Sequence, residues 1–283
     1  MNKQYPINKL IKSKTLKISK NGNYPIIHEK SVEVDVPGPP NTFKPFISNT
    51  YNPVQLFANS NLVSLDKFLR YTDTSGAIST KGMFSGCVNL QTIPLLDTSK
   101  VTDMSSMFYG CSNLETIPAL DMSLTTVANL MFSNCTNLTY VPKLNTKKLA
   151  NASSMFYNCV NLHTVEELDF SNYNGGDVFT NCTSLTNVYI KNIKTSLTLN
   201  SESLSDKSLI DLCKECIKSE YSMSFNFGSA NKDRLANLYV KFKDSNQTEI
   251  AVDEKGEIEV CTSTDEGAMN LQEYMALKNW TLY

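Results

Sequence analysis

Five cysteines stand at near-even intervals: Cys87, Cys111, Cys135, Cys159 and Cys182 are separated by 24, 24, 24 and 23 residues. Thiols form disulfides, bind soft metals as thiolates, or act as nucleophiles. Each use needs a partner: a second Cβ aimed at the first, further ligands, or a nearby base. Cys213 and Cys216 make a C-x-x-C pair, the spacing of a redox pair or of half a zinc site. A second half would need two more ligands, and the only histidines, His28 and His163, are far away in sequence. The pair therefore reads as core cysteines on an amphipathic helix. Glu166 and Glu167 are carboxylates by adjacency alone, and strand neighbours face opposite sides, so they do not form an acid–base pair. D-E-K-G-E from Asp253 lacks the alternating oxygen ligands of a calcium loop and reads as a charged hairpin turn. There is no nucleophile elbow, H-E-x-x-H, P-loop or dinucleotide fingerprint. The residues point to a non-enzyme, with no catalytic group, cofactor or metal.

The cysteines belong to a larger phrase. It runs M-F-S-G-C-V-N-L-Q-T-I-P from Met83 and M-F-Y-G-C-S-N-L-E-T-I-P from Met107, then M-F-S-N-C-T-N-L-T-Y-V-P from Met131 and M-F-Y-N-C-V-N-L-H-T-V from Met155. V-F-T-N-C-T-S-L-T-N-V from Val178 is a worn copy, and L-F-A-N-S-N-L-V-S-L from Leu56 is a degenerate opening one, with Ser60 in the cysteine's place. A fixed period of this length marks a stacked array, with atypical terminal copies acting as caps. Equivalent residues of successive coils then lie in columns with parallel side chains. A cysteine column is thus expected to be buried and reduced, each thiol packing as a small hydrophobe.

Within one coil, Val101, Met104, Met107, Phe108 and Cys111 lie mostly three and four apart, the face of a short helix. Gly110, Asn134 and Asn158 follow, where a left-handed cap is tolerated. Leu114, Ile117 and Leu120 then point inward from a short strand and a wide turn. Asn89, Asn113, Asn137 and Asn161 precede that strand, placed to bond backbone amides between coils. The expected fold is an α/β solenoid of about 24 residues per coil, a short helix plus a short strand, in about six coils. Polar residues recur on the strand: Gln91 and Thr92, Glu115 and Thr116, Thr139 and Tyr140, His163 and Thr164, Thr186 and Asn187. Strict alternation would aim one of each pair outward, but a short bent strand need not alternate, so both columns are candidates. They read either as a face for glycan or protein contact or as an ordinary polar surface. His163 is likewise a binding-face residue or a solvated side chain.

The M-F-x-x-C-x-x-L-x-x-[IV]-P phrase and D-T-S-K-V-T-D-M-S-S-M-F from Asp97 resemble the BspA-like leucine-rich repeats of bacterial surface proteins and phage virion proteins. The resemblance covers roughly residues 56–195. The N-G-N-Y segment ending in V-E-V-D-V-P looks like the β leader that precedes such repeats in gut phage proteins. The last segment, ending W-T-L-Y, resembles their C-terminal caps. The fifth coil departs from the pattern, because Asn174-Gly175-Gly176 replaces the D-M-S-S that opens the helix.

Three segments follow from this reading: 1–50, a β attachment segment and linker; 51–200, the repeats; 201–283, an α+β cap. In the first, Leu16 and Ile18 lead into Asn21-Gly22, a hairpin signal. Val32, Val34 and Val36 alternate with polar residues, and Pro37-Gly38-Pro39-Pro40 marks a boundary. In the last, a helix starts at an N-cap Ser205 and another at Asn270, whose Glu273 stands three residues on. Strands are expected from Leu238, Glu249 and Glu257. The net charge of −2 and the lack of a basic stripe argue against nucleic acid. No secretory signal, anchor or apolar span is legible, so membrane insertion is not expected. Phages assemble in the host cytoplasm and leave by lysis, which suits both that reading and reduced thiols. The resemblance implies a virion fibre or receptor-binding component, held by its N-terminal segment to other virion proteins and binding a host glycan or protein. A bacterial cell-surface adhesin or an interaction scaffold is the alternative. A homo-oligomer is possible in either case, although no heptads mark it.

Overall fold

The computed structural model describes residues 53–64, 74–199, 201–216, 218, 220, 223–243, 250–251 and 259–282, with the paired backbone of 16–18 and 25–27. The Asn21-Gly22 turn, His28, the Val32–Val36 alternation, the proline cluster and the Asp253 turn lie outside them.

Strands β1 (Leu16–Ile18) and β2 (Pro25–Ile27) pair antiparallel, the arrangement the hairpin spacing calls for. The repeats follow as a stack of coils. On one side, short parallel strands line up: β3 (Tyr140–Val141), β4 (Thr164–Asp169) and β5 (Asn187–Lys191), in the order β3-β4-β5. Single bridges extend this ladder to earlier coils, joining Ser64 to Thr92 and Thr116 to Tyr140. Proline limits these strands. Pro94, Pro118 and Pro142 each follow the inward Ile or Val and have no N–H to give to a ladder. In the fourth coil Glu166 takes the proline's place, and β4 runs to six residues.

The segment expected to be a short helix is a run of tight turns instead. Alternate amides bond three residues back: Met107 to Met104, Tyr109 to Ser106 and Cys111 to Phe108. The amides between them donate to the next coil, Ser106 to Asn129, Phe108 to Met131 and Gly110 to Ser133. Ser106 and Gly110 have φ of 55° and 70°, the left-handed region, which breaks a helix at each turn. Leu130, Asn134, Ser154 and Asn158 repeat those angles. Successive turns still place Met104, Met107, Phe108 and Cys111 inward, which is why the spacing imitates a helix. D-x-S pairs shape the approach: Asp103 accepts from Ser105 N at 2.9 Å, and Asn151 from Ser153 N at 3.1 Å.

The core is built of columns. Phe57, Phe84, Phe108, Phe132, Phe156 and Phe179 stack with ring centroids 5.3–5.5 Å apart and nearly parallel planes. Beside them each thiol donates to the phenylalanine carbonyl of the preceding coil, Cys111 to Phe84 and Cys135 to Phe108, both at 3.1 Å. Ser60 continues that column and shares a hydrogen bond with Cys87 at 3.2 Å. In the fifth coil Gly175 and Gly176 have φ of 99° and 123°, and the buried Tyr173 hydroxyl donates to Gly176 O at 2.8 Å. Gly176 leaves room for that hydroxyl, which a Cβ there would meet at 3.2 Å, whereas a Cβ at Gly175 would meet Thr195.

Parallel pairing recurs beyond residue 200, in a second sheet. β6 (Leu197–Thr198) pairs parallel with β7 (Met223–Asn226), which pairs parallel with the final β11 (Trp280–Leu282). Between β6 and β7 the chain makes α1 (Asp206–Glu215), whose N-cap Ser205 accepts from Ser208 N. This helix packs on the last coil, with Ser208 Oγ accepting from Val188 N at 3.0 Å. α2 (Ser229–Leu235) and the antiparallel set β8 (Tyr239–Lys241), β9 (Val260–Cys261) and β10 (Ala268–Asn270) follow. α3 (Leu271–Leu277), capped by Asn270, leads into β11. Lys278 then closes the unit, its Nζ donating to the carbonyls of Cys213, Lys214 and Cys216 at 3.2, 2.8 and 2.6 Å. The amine thereby satisfies the open end of α1.

Phe132→Ala should cost about 3–5 kcal/mol in urea unfolding, because it empties the middle of the ring column. Gly86 and Gly110 both have left-handed backbone, φ 73° and 70°, in the column where later coils carry asparagine. Gly110→Asn should therefore cost less than about 1 kcal/mol, whereas Gly86→Val should cost at least about 1–2 kcal/mol, as a β-branched side chain in that region does.

Candidate binding face

The strand side of the stack carries the polar columns. Glu115 N donates to Gln91 O, Thr139 N to Glu115 O, His163 N to Thr139 O and Thr186 N to His163 O. These bonds align Gln91, Glu115, Thr139, His163 and Thr186 in one row along the stack. Thr116, Tyr140, Thr164 and Asn187 form a second row through direct parallel register, with Thr92 at its start. Gln91, Thr92, Glu115, Thr116, Thr139, Tyr140, His163 and Asn187 are exposed, while Thr164 and Thr186 are half-buried. Both members of a pair thus reach the surface in most coils, because the strand is only one or two residues long before it bends. Ile93, Ile117 and Val141, the next residue in each coil, are buried.

Tyr140 is the one aromatic in these rows, and a later coil holds it in place. Its hydroxyl donates to Glu166 Oε1, and Glu166 Oε2 accepts from Lys143 N at 2.9 Å. Lys143 follows Pro142, so its amide is the first one free to turn outward. The two carboxylates at 166 and 167 both face the outer side, contrary to strict alternation, because the register shifts between Val165 and Leu168. Glu167 bridges Lys143 Nζ at 2.9 Å and Lys191 Nζ at 3.0 Å, linking three coils. The sequence signal for this cluster was the substitution of Glu166 for the repeat's proline.

Hydrogen bonding sets the charges here. The bond to Glu166 raises the Tyr140 hydroxyl above its ordinary range. Bonds from Tyr140 and from Lys143 N hold the Glu166 carboxyl below the usual carboxylate range. Partial burial pulls Glu167 upward, but bonds from Lys143 and Lys191 outweigh it and leave it lowered.

The other candidates do not assemble. Cys213 is buried on α1 and Cys216 is buried at its C-cap, and burial pushes the Cys213 thiol up to about 12, far from reactive thiolate. The column thiols are also raised by burial, Cys182 to about 12. All eight cysteines are free. His163 stands in its row with no second titratable partner among the described residues. Asn137 and Asn161 donate their side-chain amides, to Asn113 Oδ1 at 3.5 Å and Thr136 O at 2.9 Å, rather than accepting from backbone amides. Among the described residues, no group of three or more His, Cys, Asp or Glu side chains is placed to hold a metal ion. No helix among them is long and apolar enough to cross a membrane.

The chain belongs to the family described as "Mycoplasma protein of unknown function, DUF285", whose model matches residues 55–198, just over half of the 283. No curated protein and no solved structure gives a significant match.

Because the Glu166 pKa is depressed in the folded chain, its bond to Tyr140 is present above the ordinary carboxylate range. It is lost as pH falls through the lowered folded value. Carbon-detected NMR titration should place Glu166 below the usual glutamate range, and Tyr140→Phe should move it back toward that range.

Proposed function

We propose that this chain is a non-enzymatic structural protein of a phage virion, a fibre or receptor-binding component. In this reading the stacked coils are a leucine-rich-repeat solenoid that carries a binding face outward. The observation that supports it best is the pair of exposed polar rows running in register from Gln91 to Asn187. Such a face presents hydroxyls, amides and a fixed tyrosine at a regular repeat, suited to an extended glycan or protein on a host surface. The thiol column suits assembly in a reducing cytoplasm, because each of the five thiols donates to a carbonyl and is needed in its reduced state. The β1–β2 hairpin would attach the protein to other virion proteins. A bacterial cell-surface adhesin is the second reading, favoured by the family's description as Mycoplasma proteins.

Mass spectrometry of purified virions and of washed host envelopes separates the two. The virion reading expects the chain in the particles, and recovery only from envelopes of uninfected cells would overturn it. On the virion reading, Tyr140→Ala with His163→Ala should lower adsorption to host cells about tenfold, the effect of removing an aromatic anchor from an interface. Unchanged adsorption would remove the strand face from the proposal.

A further inference from the structure

The turn side of the stack carries a second ordered surface, of a different chemistry. The carbonyls of Ser85, Tyr109, Ser133, Tyr157 and Thr180 each accept from the preceding coil, Gly86 N to Tyr109 at 2.6 Å, Gly110 N to Ser133 at 2.8 Å and Asn134 N to Tyr157 at 2.8 Å. This places the five residues in one row, with tyrosine in alternate coils. Tyr109 and Tyr157 are 41% and 38% exposed, whereas Ser133 between them is 1% exposed. Two rings therefore stand out above a filled floor. Among the described residues neither hydroxyl meets a hydrogen-bond partner.

The turn segments of the three central coils carry no charge, and Lys81 and Asp177 stand only in the coils that flank them. Segments 104–114, 128–138 and 152–162 contain no Asp, Glu, Lys, Arg or His, although charged residues make up 19% of the chain. What they offer beside the rings is mainly amide and hydroxyl groups. Asn158 Nδ2 donates to Asn134 Oδ1 at 2.9 Å, so the two amides next to the tyrosine row are held in a ladder before any ligand arrives. Amides and hydroxyls both donate and accept, which is what sugar hydroxyls require. A fixed ladder also lowers the ordering cost of binding. An anionic ligand, such as a phospholipid headgroup or a nucleic acid, would need cations that these turn segments do not have.

Spacing points to the form of the ligand. Parallel chains lie about 4.7–4.9 Å apart, so residues two coils apart are separated by about 10 Å. The buried neighbours agree, Phe108, Phe132 and Phe156 stacking at successive intervals of 5.5 and 5.4 Å. That distance is close to the length of one disaccharide in an extended β-1,4-linked chain. In such a chain every second pyranose presents the same face, and its axial C–H groups stack on an aromatic ring.

We infer that Tyr109 and Tyr157 form a binding site for a neutral, extended polysaccharide, with Asn134 and Asn158 hydrogen bonding to its hydroxyls. The site is separate from the strand rows and independent of which particle or cell displays the protein.

Affinity electrophoresis of the full chain through gels containing hydroxyethylcellulose, mixed-linkage β-glucan, glucomannan or polygalacturonate tests it. At least one of the neutral polymers should retard the protein, and polygalacturonate should not. Tyr109→Ala and Tyr157→Ala should each weaken the retardation at least fivefold, and the double variant should abolish it. Tyr109→Phe with Tyr157→Phe should keep most of it, since the ring face does the stacking. An unaltered circular-dichroism melt for each variant excludes unfolding as the cause. Retardation by none of the neutral polymers, by polygalacturonate alone, or to the same extent in the double alanine variant would overturn the inference. Loss on Tyr140→Ala with retention in the double variant would move glycan binding to the strand face and overturn it as well.

Discussion

No coil of this protein satisfies its own backbone. In each turn segment every second amide bonds within the coil, and the amides between them bond to the next one. A buried amide left without an acceptor costs about 1–3 kcal/mol, so one isolated coil would carry several such penalties at once. Stacking removes them, and it can do so only in one register. A slip of one residue would exchange Phe108 with Tyr109 and bury the exposed column. The ring column adds a second, independent selection of the same register, since each phenylalanine packs face to face with its equivalents above and below.

Everything on the surface inherits that register. Residues with no physical connection in sequence, such as Gln91, Glu115 and Thr139, become a row because their backbones are bonded one to the next. Variation between coils then turns a row into a pattern. The change from proline to glutamate at 166 allows a longer strand and supplies the carboxylate that fixes Tyr140. Alternation of serine and tyrosine on the turn side spaces two rings by two coils. The same rigidity explains why the cysteines, chemically the most reactive residues in the repeat, are inert. Each is shielded by its neighbours and donates to a carbonyl, and burial holds the thiols protonated.

Much of the frame was legible because a repeat states its own alignment. The period located the coils, the inward residues and the cap at Ser60, and the Ser205 and Asn270 N-caps were readable from side-chain chemistry. The helical spacing misleads for a definite reason. Consecutive turns with left-handed residues at 106 and 110 bring the same positions inward as a helix would, and a hydrophobic pattern reports inwardness rather than backbone path. The parallel pairing beyond residue 200 was hidden differently. Insertion of α1 between β6 and β7 destroys the 24-residue spacing while leaving the parallel pairing intact.

The sequence by itself determined the period and the buried columns, because those depend on residue type repeated at fixed distance. Tertiary structure alone decided what the outward residues meet. Tyr140 and Glu166 are 26 positions apart, and Lys143 and Lys191 share Glu167 across two coil boundaries. Such contacts depend on how far one coil is offset from the next and where a strand bulges. Those are properties of backbone hydrogen bonding between coils, and side-chain identity along one coil does not encode them.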